Sequence, residues 1–430
     1  MACGTVHLPG SDTAGDTSAV TGVRRPRLLF LCQTLPFPPD SGVAIRSYNV
    51  LRLLSQAFDV TALCFWRSKG GGGEERFAES LARLRELAEA DAFPLPQEHS
   101  RPRLAWDHLR SVVHNRVYTE FAYQSREFEH RLAEFLRTRR FDLVHVDSLV
   151  LSRYLPLLGD TPVVCQHHNV ESQLLRQRSR YAHVPWLRVY LRHQARLMER
   201  EERRWIPRVA LNLTVSEQDR RALERLAPRA RVSVVPNGVN VEELHPETGL
   251  QDGLVFVGES TWFPNRDALE FLCQAILPRL REAGVEAPVR WVGRATDKTR
   301  RLYRDRYGIE LTGHVPDVRP FVRDAACYVV PLRLGGGTRI KILEAWAMGK
   351  AVVSTSIGCE GLAAEDGRNI LIRDTPQGFA QAVRLVLRDA VLSRGLGGMG
   401  RRTVERLYSW EVIGKKLLAE YAALLHVPAA

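Results

Sequence analysis

The sequence predicts an α/β protein built from two Rossmann-like, doubly wound domains that face each other across a cleft. Short apolar, β-rich runs alternate with helical patterning along the chain. The alternation restarts after a turn-rich segment, Pro236-Asn237-Gly238-Val239-Asn240, and several runs end on glycine where open parallel sheets take their ligands. A chain of 430 residues is long enough to bury two cores. The expected division is a disordered leader over 1–24, a first domain over 25–240, a second over 241–407, and a terminal helix over 408–430 that packs back toward the first domain.

Arg27 to Cys32 (RLLFLC) reads as the first strand. A loop carrying Gly42 follows it, then a helix from about Ala44 through Leu54, which makes the first βα unit and turns the Gly42 backbone toward the cleft. This loop is not a G-x-G-x-x-G fingerprint, which argues against NAD. Val60 to Phe65 is the second strand, Gly70 to Gly73 a flexible loop, and Glu74 to about Glu89 a helix; another helix covers Glu127 to Thr138, and Ser68 to Glu74 and Gln97 to Thr119 are expected to be loops of the first domain. Phe141 to Val146 and Pro162 to Gln166 are further strands. The first ends on Asp147 and Ser148, the second on His167, His168, Asn169 and Glu171. Histidines at a strand's carboxyl end suit chemistry, or they hydrogen-bond the loop they stand in. Ser172 to Trp205, broken near Pro185, is a basic amphipathic helical region that lies either on an anionic membrane surface or on its own domain core. Val209 to Val215, a helix opened by Ser216, and Arg231 to Val235 complete the first array.

The second array runs through Leu254 to Val257 with Gly258, a TWFPNRD loop, a helix from about Asp267, Val289 to Val292 with Gly293, and Ile309 to Thr312 with Gly313. It reaches a block between Val329 and Leu362: a buried strand, three glycines (Gly335, Gly336, Gly337), a helix from about Thr338 to Met348, and a strand from Ala351 to Ser354. Glycines allow close backbone approach, Thr338 is a good N-cap, and the free N–H groups of a first helical turn favour an anion. Arg339 and Lys341 add positive charge, and Glu344 lies further along the helix within reach of a hydroxylated group. A nucleotide diphosphate joined to something rich in hydroxyls fits this pattern; close packing without any phosphate is the other use of such a turn. Helices over Ser393 to Leu407 and Trp410 to Leu425 end the chain.

The formal net charge of +12 favours anionic partners or reflects a solvated basic surface. Seven scattered cysteines without a C-x-x-C pair argue for reduced core thiols in a cytosolic protein and against a disulfide framework or zinc knuckle. No run approaches the roughly 18 apolar residues of a membrane span. The leader lacks the apolar stretch of a signal peptide.

In this order, the motifs VVPNGVN, FVGESTWFPNRDAL, TGHVPDVRPFVRDA, GGGTRIKILEAWAMGKAVVST and YSWE resemble the GT-B glycosyltransferases, and within them family 4, the retaining nucleotide-sugar transferases (glycosyl transferases group 1). PFPPDSGVAIRSY and HHNVES look like a bacterial subgroup associated with exopolysaccharide or exported-protein systems. The resemblance implies a metal-independent hexosyltransferase acting with retention of configuration. The donor would be a UDP- or GDP-sugar, a co-substrate, with no other cofactor, and the acceptor a glycan or a lipid-linked species. It implies a cytoplasmic enzyme, with peripheral contact to an anionic membrane on its inner face among the expected partners and nucleic acid not among them.

Carried over by position, the resemblance gives Glu344 to the ribose and His168 to the donor sugar. The backbone from Gly336 and Gly337 through Thr338, Arg339 and Ile340 would hold the diphosphate, with Gly42, Gly258 and Asn265 facing the same cleft. Two departures stand out. Many members carry a pair of glutamates in this block, the first touching the sugar, and here that first position is Gly336. Many also carry an Arg and a Lys after the first glycine of domain two, where this chain has Trp262, Pro264, Asn265 and Arg266, so Arg339 and Lys341 are the candidates for the missing charge. Competing expectations are a nucleotide-sugar epimerase or a phosphorylase on the same fold, and a non-catalytic sugar-nucleotide-binding scaffold.

Overall fold

A computed structural model describes residues 24–67, 73–247, 249 and 251–425. The leader with Cys3, and the loop expected between Ser68 and Glu74 apart from the backbone of its last two residues, lie outside the described residues.

The first domain holds β1 (Arg27–Cys32), β2 (Asp59–Trp66), β3 (Glu89–Pro94), β4 (Leu143–Val146), β5 (Val163–His167), β6 (Leu211–Thr214) and β7 (Val232–Val234). They form one sheet in the order β3-β2-β1-β4-β5-β6-β7, every neighbouring pair parallel. The second domain holds β8 (Leu254–Val257), β9 (Val289–Val292), β10 (Ile309–Gly313), β11 (Cys327–Val330), β12 (Val352–Ser354) and β13 (Leu371–Ile372). These pair in parallel in the order β10-β9-β8-β11-β12-β13. Strands such as β1 and β11 are apolar without alternation because helices cover both faces, and their side chains are fully buried from Leu28 to Cys32 and from Cys327 to Val330, Tyr328 apart by a trace. In each sheet the order reverses beside the first strand, which opens a crevice at the carboxyl ends. The two crevices face each other.

Helix Trp410–Leu425 returns to the first domain: Trp410, Ile413, Leu417 and Tyr421 are buried in its core, and the Tyr421 hydroxyl lies 2.5 Å from His145 Nδ1. The six described cysteines are buried free thiols.

Four stretches differ from the sequence reading. The helix expected to reach Glu89 stops at Arg85, and Glu89–Pro94 (EADAFP) is an edge strand, whose alanines and acids carry little β-propensity and which is held by its pairing with β2. The stretch from Gln97 to Thr119, expected to be loops, contains helix Arg101–Val113, N-capped by Ser100, whose hydroxyl accepts from Arg103 N at 3.2 Å. Helix Phe263–Phe271 takes in most of the expected TWFPNRD loop, with Pro264 in its first turn. Helix Pro376–Arg388, capped by Thr375, occupies a stretch the sequence reading left unassigned.

Candidate functional site

The first-domain wall is built on the carboxyl ends of β1, β4 and β5. Asp147, one residue past β4, is fully buried and accepts hydrogen bonds from Ser47 Oγ at 2.8 Å and Gln166 Nε2 at 2.9 Å. His168 Nε2 stands 3.3 Å from the same oxygen, and the Cys32 thiol lies 3.5 Å from the other. Burial alone would raise the Asp147 carboxyl; His168, His145 and the Ser47 hydroxyl outweigh it and hold the group below its ordinary value. Arg46 is buried behind it. Its Nη1 donates to Pro236 O at 2.9 Å and Asn237 Oδ1 at 3.2 Å, its Nε and Nη2 have no partner among the described residues, and burial lowers it to about 10 against the pull of Asp147.

The two adjacent histidines divide their tasks. His167 is turned into the core, bonded to Asn212 Oδ1 at 3.0 Å and pushed down to about 4 by burial, so it packs as a neutral imidazole. His168 faces Asp147 and the cleft.

The second-domain wall begins at Gly258 and Gly293, neighbours at the ends of β8 and β9 with φ of +156° and +144°. A Cβ on Gly293 would come within 2.6 Å of Gly258 O, and one on Gly258 within 2.7 Å of Asn265 Nδ2 and 2.9 Å of Lys341 Nζ. Lys341, from helix Ile340–Ala347, therefore brings its ammonium to the carboxyl end of β8. It donates to Asn265 Oδ1 at 3.1 Å and sits 3.9 Å from the Phe256 ring centroid. Burial, then the neighbouring Arg339, lowers Lys341 to about 7. Glu344 lies one turn further on the same face, its carboxyl raised by burial against the attraction of Lys341, and the buried Tyr328 hydroxyl lies near it.

The glycine turn itself meets the first domain. Thr338 does not cap the helix; its hydroxyl donates to Val215 O of the first domain at 2.7 Å, Arg339 occupies the cap position without a capping side-chain bond, and the helix starts at Ile340. The N-cap expected at Thr338 is thus replaced by a bond between domains. Gly335 N donates to Gln177 Oε1 at 2.8 Å. Gly337 has φ +68°, and a Cβ there would lie 2.6 Å from His168 O. A Cβ at Gly336 would lie 3.3 Å from Asn169 Oδ1, and one at Gly42 3.7 Å from Ile340 Cδ1. Arg339 is buried and folded back: its Nη1 donates to the Gly336 and Gly337 carbonyls, which braces the turn, while Nε and Nη2 have no hydrogen-bond partner among the described residues.

Of the residues the sequence singled out, Gly258, Asn265, Lys341 and Glu344 form one cluster. His168, Gly42, Gly336, Gly337, Thr338, Arg339 and Ile340 lie along the seam that joins it to the other wall. Sequence reasoning gave no role to Ser47, Gln166 or Arg46, and noticed Asp147 only as a strand end. An acid directly after a buried strand in the first crevice was the available signal. It also missed the cross-domain pairs Arg294–Asp40, at 3.4 Å, and Arg266 Nε to Tyr181 Oη, at 3.3 Å. A surface cavity of about 420 Å³ near Arg25, Arg27 and Asp59 lies at the amino ends of the strands, away from this chemistry.

Two family profiles match the chain, "Glycosyltransferase Family 4" over residues 41–243 and "Glycosyl transferases group 1" over residues 251–389. Among solved structures it is similar to sucrose-phosphate synthase from Thermosynechococcus elongatus, at 16% identity and TM-score 0.63 over 93% of this chain and 99% of that one. It is similar to Anabaena HepE in complex with UDP and glucose, at 14% identity and TM-score 0.64 over 92% and 99%. It is also similar to TarM, which S. aureus carries, at 10% identity and TM-score 0.67 over 94% and 99%. At these identities the likeness is one of fold. No curated protein matches the sequence significantly.

Proposed function

The chain belongs to the family 4, group 1 glycosyltransferases of the GT-B fold, and from that premise we propose that it moves a hexose from a UDP- or GDP-sugar to a glycan or lipid-linked acceptor, with retention of configuration and without a metal ion. The observation that carries the reading is Lys341. Its desolvated ammonium stands at the carboxyl end of β8, across the seam from His168 and Asp147. A diphosphate seated at Gly258 would restore the full charge of Lys341, and as the bond from the anomeric carbon to the diphosphate oxygen breaks, that charge stabilises the departing anion in place of a metal. The N–H groups at the start of helix Ile340–Ala347 act in the same direction.

Glu344, its carboxyl raised by burial, offers its oxygens to ribose hydroxyls. His168, oriented by Asp147, meets the sugar from the other wall. The acceptor hydroxyl attacks the face the nucleotide leaves: its oxygen bonds to the anomeric carbon and its proton passes to the departing phosphate oxygen. No covalent sugar–enzyme intermediate forms. That HepE, of the same fold, has been seen with UDP-glucose supports a UDP-sugar first among the donors.

The test is incubation with a panel of nucleotide-sugars in the presence of a chelator, scoring release of nucleoside diphosphate and the anomeric configuration of the product by NMR. Chelator-resistant release from one donor, with retained configuration, is expected. Inversion, a trapped glycosylated side chain or a strict metal requirement would overturn the mechanism, and conversion of the donor sugar without nucleotide release would favour an epimerase.

A further inference from the structure

Arg46 and Ser47 are neighbours on helix Gly42–Leu54, and they bond in different directions. Ser47 Oγ donates to Asp147, the carboxylate that His168 faces. Arg46 Nη1 donates to Pro236 O and Asn237 Oδ1, in the segment that leaves the first domain. That segment is one of two crossings between the domains. The chain goes out through Pro236 to Asn240 and returns through Tyr408 to Trp410, and the crossings lie side by side: Val239 N donates to Tyr408 O at 2.8 Å, and Trp410 N to Val239 O at 3.3 Å. A Cβ on Gly238 would lie 2.5 Å from the Trp410 ring. Two short, paired crossings form a hinge, since any rotation of one domain on the other has to bend there.

Packing alone does not call for a cation behind Asp147. Arg46 has no exposed surface, and its Nε and Nη2 have no hydrogen-bond partner among the described residues, so the fold bears a desolvated guanidinium that an apolar side chain of similar volume would avoid. Asp147 first, then Tyr421, counters that burial. Tyr421 stands on the helix that follows the second crossing, and its hydroxyl meets His145, two residues before Asp147. Both crossings thus lead to the back of one carboxylate, whose front is His168.

We propose that Arg46 is a positioning residue for sugar transfer: it ties the hinge to the Asp147–His168 pair, so that the imidazole takes its working orientation only while the crossing segment is seated on the guanidinium. The proposal rests on the reading of His168 as the group that meets the donor sugar. When the cleft opens, Pro236 and Asn237 move off Arg46, its idle N–H groups turn to Asp147, and the carboxylate is drawn away from His168. An open cleft, which water can enter, then holds no oriented imidazole to promote loss of the sugar to solvent.

The test reads His168 directly and needs no sugar. In protein carrying isotope-labelled histidine rings, with the His168 signal assigned by His168→Gln, Asn237→Ala is expected to shift the His168 resonance through Arg46, the partner that Asn237 loses. In an Arg46→Met background the same hinge change should leave that resonance in place; Arg46→Gln serves if Arg46→Met does not fold. In transfer assays Arg46→Met should lower kcat by ~10-fold with the donor KM moved far less, and Arg46→Lys, which keeps the charge and a donor, should recover most of the loss. A His168 signal indifferent to Asn237→Ala, or one that moves equally with and without Arg46, would overturn the proposal, as would a loss of donor affinity with kcat intact. Failure of the donor reading shows separately, as no nucleoside diphosphate release by the wild type, and leaves the resonance comparison standing.

Discussion

On the first wall of the cleft a buried carboxylate, Asp147, gathers Ser47, Gln166, His168 and the Cys32 thiol around it, and its charge is held in spite of burial. On the second a buried ammonium, Lys341, bonds to one neutral oxygen and lies on an aromatic face; burial and the repulsion of Arg339 outweigh the pull of Glu344, and it is driven down to about 7. The same low dielectric acts on both groups; the difference lies in the partners. Asp147 on the first wall has its partners before any ligand arrives and serves to orient. The second is short of negative charge and is completed by an anion.

That contrast assigns different kinetic signatures to the two walls. If Asp147 orients His168, Asp147→Asn keeps the shape of the pocket but loses the anion that fixes the imidazole. A misplacement of this order costs ~10²-fold in kcat, while the KM for the donor should move only a few-fold. Steady-state kinetics on purified variant and wild type read the split. A fall in melting temperature with kcat intact would make Asp147 a structural carboxylate and dissolve the comparison.

Lys341→Met removes a charge-assisted contact to the diphosphate, expected to cost about 2 kcal/mol, or ~30-fold in donor affinity, with kcat falling as well, because the same charge stabilises the departing anion. Its pH dependence follows from the lowered lysine. The diphosphate prefers the protonated form, which in the free enzyme is present below about 7, so affinity should be highest below that pH and fall as pH rises through it. Lys341→Met should flatten the profile in this window. Arg339→Ala, which takes a brace from the glycine turn, should instead lower thermal stability. Titration calorimetry with the nucleoside diphosphate across the pH range separates the two cations; equal losses from both would mean that Arg339 also meets the phosphate.

The legibility of the molecule divides along similar lines. Continuous apolar runs such as RLLFLC and CYVV made both sheets readable, because burial on two faces leaves an unmistakable pattern. Helix Arg101–Val113 was not readable, since its apolar residues face solvent and its burial rests on Asp107 and Ser111; a periodicity rule assumes the opposite. Lys341 and Glu344 were found because one helix places both on one face, a local relation. Asp147 with Ser47, Gln166 and His168 joins residues from β4, the helix after β1, and β5, and nothing in local sequence announces that meeting. The contact that the glycine turn makes across the cleft was hidden for the same reason: the loop from His168 to Asn169 that it packs against lies in the other domain.

The adjacent glycines of that turn offer the finest test of whether the two walls must touch. Gly336 has an ordinary backbone conformation, and an added Cβ would press only on the end of the Asn169 side chain at 3.3 Å, a flexible amide that can shift by a few tenths of an ångström. Gly337 is left-handed at φ +68°, and its Cβ would lie 2.6 Å from the His168 carbonyl, which cannot move without taking His168 along. Alanine at 337 therefore adds a conformational cost of about 1–2 kcal/mol to a clash at the seam. Gly337→Ala is expected to lower kcat/KM for transfer by ~10-fold, and Gly336→Ala to stay within a few-fold of wild type. Equal behaviour of the two alanine variants would mean that the walls act without the contact at His168, and that the glycines serve the anion alone.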